Sequence, residues 1–112
     1  MNLQDIIAGL NLRLFTSPQD FVAVTPQGGY ASDLLSCVVA GAQPGNLWVT
    51  LQAHMNVVAV ASLREVSAVI ITENAQPDAD VIEKANEQGV VLLSTALPSY
   101  EVVGKLWEMG VR

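Results

Sequence analysis

Basic residues are scarce in this chain. Five lysines and arginines stand against eleven aspartates and glutamates, for a formal net charge of −6. With no basic run, the sequence excludes the positive patch that nucleic acids and anionic membranes require. Charge of either sign is thin, at 14% of residues. A single cysteine, Cys37, excludes an internal disulfide and a cysteine-rich metal site. A single histidine, His54, excludes zinc sites built on two imidazoles or on an imidazole with cysteines. No apolar stretch approaches the roughly 18 residues of a membrane span. The opening MNLQDIIAGL has no basic segment and carries Asp5, so it does not read as a signal peptide. These absences predict a cytoplasmic protein with neither nucleic acid nor membrane as partner.

Phosphate-binding signatures are missing too. The stretch PQGGYASDLLS, Pro26 to Ser36, sets a glycine pair between apolar segments, yet no G-x-x-x-x-G-K-[ST] or G-x-G-x-x-G follows from Gly28 and Gly29. Gly104-Lys105 is followed by Leu106 inside a helical pattern. The glycine pair reads as a turn that feeds a helix. Ser32 is placed to satisfy a free amide there, and the Asp33 carboxylate to complement the positive end of the helix dipole. A second anion at that turn would meet like charge.

What is present is apolar sequence, 51% of the chain without counting glycine. With so few charges, this balance predicts either a sheet covered on both faces or a subunit interface, and we expect a homo-oligomer. Leu3, Ile6, Ile7 and Leu10 mark one face of a first helix. LRLF and FVAVT read as short strands around the turn-rich TSPQD. The helix after Gly28-Gly29 is expected to turn Leu34, Leu35, Val38 and Val39 inward, with Cys37 a buried small apolar residue. LWVTLQ, AVIIT and VVLLST read as buried strands. NVVAVASLREV reads as a largely buried helix. Asp78 and Gly89 punctuate a helix with Val81, Ile82 and Ala85 inward. Ser99 is expected to cap a last helix whose inner face is Val102, Val103, Leu106 and Trp107. The alternation predicts an α/β fold, a single unit over residues 1–112. It has three layers, a mainly parallel sheet of four to five strands with helices on both faces.

In such sheets, ligands gather at the carboxyl ends of the strands. TPQGG, QAHMN, TENAQ and STALPS then bring Thr25, Gln52, His54, Asn56, Thr72, Glu73, Ser94 and Thr95 to one edge. Catalysis by His54 would need a hydroxyl such as Thr50 or Ser94 and an orienting acid, and no signature supports that triad. Asp20, Asp33, Glu73, Asp78 and Asp80 form no spaced pair for acid/base work or a cation cage. No catalytic residue, metal or cofactor is therefore expected. Trp48 and Trp107 fit core or interface anchors.

The stretch Gly28–Leu63, with Gly29-Tyr30, Ser32 to Ser36, Trp48-Val49-Thr50, Gln52, His54 and Asn56, resembles the DRTGG domain family. The likeness continues through Ala68–Thr95 and Val102–Gly110. The Asp-Arg-Thr-Gly-Gly motif is reduced to TPQGG, which keeps only Gly28 and Gly29. The resemblance implies a small regulatory module. Family members accompany CBS modules in inorganic pyrophosphatases, where they help form a dimer. They also occur in long phosphotransacetylases and are similar to the amino-terminal domain of HPr kinase/phosphorylase, whose P-loop motif this chain does not carry. Other members are similar to proteins encoded near redox enzymes. The leading expectation is a non-catalytic homodimeric interaction module, with a protein partner in a redox or metabolic enzyme system. The alternative is a sensor of a small ligand, such as an adenine nucleotide. Its expected contacts are Gly28, Gly29, Thr50, Gln52, His54 and Asn56.

Overall fold

The computed structural model describes residues 1–112. A first helix α1, Leu3–Gly9, leads to a two-residue strand β1, Arg13–Leu14. Then come β2 (Gly29–Ala31), α2 (Leu35–Gly41), β3 (Leu47–Thr50), α3 (Met55–Arg64), β4 (Ala68–Ile71), α4 (Ala79–Gln88), β5 (Leu92–Ser94) and α5 (Ser99–Glu108). The sheet has five strands in the order β1-β5-β4-β3-β2. Strands β2 to β5 are mutually parallel, and β1 runs antiparallel to β5. The expected three-layer α/β fold with a mainly parallel sheet is therefore the one observed.

The layers follow from the strand order. Each parallel strand lies beside its successor in sequence. Right-handed crossovers that always step in one direction put α2, α3 and α4 on one face. That face buries Val38, Ala42, Trp48, Val57, Ala61 and Ala85 against Val69, Ile71 and Leu92. The other face carries α1 and α5, with Leu3, Ile6, Val102 and Leu106 against Leu47, Val49, Ile70 and Leu93. Strand residues alternate between the two cores, which is why β3, β4 and β5 are apolar except for Thr50 and Ser94 at their carboxyl ends. Each fully buried Leu or Ile here contributes roughly 1.5–3 kcal/mol.

Several elements depart from the sequence expectation. FVAVT is not a strand: Phe21–Ala23 is a 3-10 turn, closed by Ala23 N–H to Asp20 O and Val24 N–H to Phe21 O. Only Phe21 of that stretch is buried. The edge position goes instead to Gly29-Tyr30-Ala31, and the TPQGG segment precedes this strand. Thr25 therefore lies away from the carboxyl-end rim. In α2 the deeply buried residue is Val38, whereas Leu34 and Val39 are exposed, and so is Cys37. The helix has only two turns and lies over the sheet margin, so it buries one narrow stripe. Helix α3 buries Val57, Val58 and Ala61 but leaves Leu63 exposed, because no layer lies outside it. In α5 only Val102 and Leu106 are buried. No helix is long and apolar enough to cross a membrane.

Helix α4 ends as the sequence suggests. Asp78 accepts from Val81 N–H, and Gly89 takes the left-handed C-cap at φ +71°. Helix α5 does not: Pro98 is its N-cap, with no side-chain capping bond. Ser99 instead pairs its hydroxyl with Thr72 Oγ1, and its N–H donates to Glu73 Oε2 at 2.8 Å. A loop after β4 thus supplies the acceptor that a local cap would have given.

Candidate functional site

At the carboxyl-end rim the predicted polar residues are mostly engaged with one another. Asp33 lies in the loop that leaves β2. Its Oδ1 accepts from Thr50 Oγ1 at 2.9 Å and from Leu51 N–H at 2.8 Å. The expected role at the helix dipole is replaced by a tie across to the end of β3. Ser32 Oγ does accept a local amide, that of Leu34. Thr50 is fully buried, and its hydroxyl also accepts from Gln52 N–H. Gln52 Nε2 reaches Asp33 O at 3.5 Å.

His54 is the N-cap of α3, with Nδ1 accepting from Asn56 N–H at 3.2 Å. It borders a cleft of about 480 Å³ whose lining includes Asp78 and Asp80. Thr50, Gln52, His54 and Asn56 thus share one end of the sheet. Gly28 and Gly29 do not join them. Gly29 pairs with Leu47 at the amino end of β3, and Gly28 takes φ +69° where Arg112 O and the Asn46 amide approach.

A second region, on the α5 face, is apolar. Alternation along β2 directs the Gly28 and Tyr30 carbonyls and the Ser32 amide toward β3. The N–H and C=O of Gly29 and Ala31 then point outward from the edge of the sheet. Tyr30 packs on the other face, its ring against α2 at Gly41. Gly29 and Ala31 line a small cleft of about 150 Å³, walled by Val49, Val103 and Trp107. Helix α5 therefore has two apolar stripes. One is in the core; the other, Tyr100, Val103 and Trp107, is exposed, with Trp107 at 58%.

Comparison with known proteins bears on this architecture. The family model of the DRTGG domain matches residues 34–109. The chain belongs to the DRTGG domain family. Among solved structures, this DRTGG domain is similar to the CBS and DRTGG domains of the regulatory region of Clostridium perfringens pyrophosphatase, crystallised with the activator diadenosine tetraphosphate. The TM-score is 0.74 at 16% identity, over 89% of this chain and 43% of that one, so the likeness is one of fold. This DRTGG domain spans less than half the length of that regulatory region. No curated protein matches it in sequence.

Two features of the chain escaped the sequence reading. Val103 and Trp107 fit the helical spacing of an inner face, and nothing local separates a core stripe from an exposed one beside it. The edge strand Gly29–Ala31 carries no strand signal, since glycine and alanine are poor strand formers.

Proposed function

We propose that this DRTGG domain is a regulatory interaction module without chemistry of its own, and that it works as a homodimer. The observation that carries the reading is the apolar seam where the open edge of β2 runs beside the exposed stripe of α5. A second copy fits it by symmetry. A two-fold axis at Tyr30 sets Gly29 of one chain opposite Ala31 of the other, and each outward N–H then meets an outward C=O. Small residues on the strand let the backbones approach, and Trp107 covers the junction. Edge strands in monomers are usually blunted by charge or proline, and β2 has neither. The polar residues of the rim serve as caps and ties, which supports a non-catalytic role.

Light scattering at micromolar concentration tests this reading. The wild-type chain should run as a dimer. Trp107→Glu should run as a monomer with unchanged helical circular dichroism. A monomeric wild type would overturn the proposal.

A second reading, a small-ligand sensor, is favoured by the nucleotide activator bound to the related regulatory region. Its proposed contacts at the carboxyl rim are Thr50, Gln52, His54 and Asn56. Calorimetry against adenine nucleotides, with His54→Ala as control, tests it. Silence across the panel would remove nucleotides at His54. Asp78 and Asp80 beside His54 oppose an anionic ligand there, which directs attention to a different cleft.

A further inference from the structure

We propose that the cleft between β1 and the carboxyl end of β5 binds a small oxyanion, a phosphate or carboxylate group held by Arg13. The proposal deepens the sensor reading and is independent of the dimer seam. The cleft encloses about 460 Å³. Its lining carries the side chains of Asn11, Arg13, Asn74, Gln76 and Ser94, and no aspartate or glutamate. In a chain with a net charge of −6, that is a local reversal of sign.

Two independent observations point to a ligand. The first is Arg13. Arg13 is exposed, and its guanidinium carbon lies 4.7 Å from the centre of the Phe15 ring, which favours that placement. It makes neither a hydrogen bond nor an ion pair. The other two arginines are engaged: Arg64 donates twice to Ala42 O, and Arg112 donates to Trp107 O. A held guanidinium with its donor fork unused suits a carboxylate or phosphate.

The second observation is Ser94. It is only 7% exposed, and its hydroxyl has no protein partner. Ser94 Oγ is not sealed off as an unsatisfied buried atom, and Ser94 is one of the residues that line the cleft. Arg13 and Ser94 are directly paired residues of the antiparallel β1–β5 ladder, so their side chains rise from the same face of the sheet. Asn74, on the loop after β4, is a further lining residue. An arginine, a serine and an asparagine thus line one cleft.

The test is an amide and guanidinium NMR titration of the full chain with three probes, inorganic phosphate, citrate and AMP. Saturable shifts are expected at Ser94, Thr95, Asn74 and the Arg13 Nε–H. Arg13→Gln should weaken binding roughly tenfold or more, as loss of a charge-assisted hydrogen bond predicts. Ser94→Ala should weaken it less. His54→Ala should leave it unchanged, which separates this cleft from the rim around His54. Overlay of the variants' spectra away from the cleft verifies their fold. Saturation by phosphate and AMP alone assigns a phosphate ligand, and saturation by citrate alone a carboxylate. Silence with all three probes overturns the proposal, and so does binding that Arg13→Gln leaves intact.

Discussion

Replacing Asp33 by alanine distinguishes a long-range tie from a helix-dipole role. If the carboxylate acted only on the α2 dipole, its removal would cost about 0.3–1 kcal/mol. The structure gives a larger figure. Asp33 Oδ1 accepts two bonds, from Thr50 Oγ1 and Leu51 N–H, at 2.9 and 2.8 Å. Hydrogen bonds to a charged group are worth about 1.5–3 kcal/mol each, and water at the exposed carboxylate reduces the sum. The fully buried Thr50 hydroxyl would be left without an acceptor. We expect Asp33→Ala to cost about 2–3 kcal/mol. Asp33→Asn, which keeps an oxygen acceptor, should cost about 1 kcal/mol. In a urea titration followed by fluorescence of the buried Trp48, the alanine variant should lower the midpoint by about 1–2 M. Protein concentration must be held fixed, because a dimer couples it to stability. A double-mutant cycle with Thr50→Val should give a coupling of about 1 kcal/mol. An alanine variant within about 0.5 kcal/mol of wild type, or zero coupling, would refute the tie.

Other substitutions probe the packing. Alanine at Gly41 would place its Cβ 2.6 Å from the Tyr30 ring, so Gly41→Ala should destabilise by about 1–3 kcal/mol in thermal melts despite its better helix propensity. In a Tyr30→Ala background the same change should become stabilising, and persistence of the loss there would place its cause elsewhere. Gly89→Ala forces a side chain into the left-handed C-cap and should cost about 1 kcal/mol in the same melts, despite open space around it. Cys37 is exposed, so a thiol reagent should label it in the native protein without denaturant. Labelling only after unfolding would contradict the placement of α2.

Much of the fold was legible because its signals are local. The strands Leu47–Thr50, Ala68–Ile71 and Leu92–Ser94 announce themselves as β-branched or leucine runs, and helix α4 carries both its start and its stop. Three features were not legible. The strand Gly29–Ala31 is held by pairing with β3, whereas FVAVT has the right composition but closes local turn bonds instead. Asp33 read as a partner of the helix dipole and Ser99 as a helix cap, and each found a better partner across a loop. Sequence spacing cannot rank a local acceptor against one brought near by a crossover. The candidate site divides the same way. Thr50, Gln52, His54 and Asn56 share one end of the sheet because they end or follow one strand, whereas Gly28 and Gly29 of the same expected set lie at its other end. Arg13 went unnoticed because its partner Ser94 meets it only through a two-residue antiparallel pairing.

That pairing also orders events during synthesis. Strands β2 to β5 each find their neighbour next in sequence, so the parallel sheet can grow by one crossover at a time. Strand β1 precedes all four in the chain, yet its pairing partner does not exist until Leu92–Ser94 are made. Helix α1 has a nearer partner, since Leu3 N–H donates to Val24 O, but β1 has none before β5. A contact between segments so far apart in sequence carries a loop-closure cost that the neighbouring crossovers do not, so docking of β1 is expected to come late in folding.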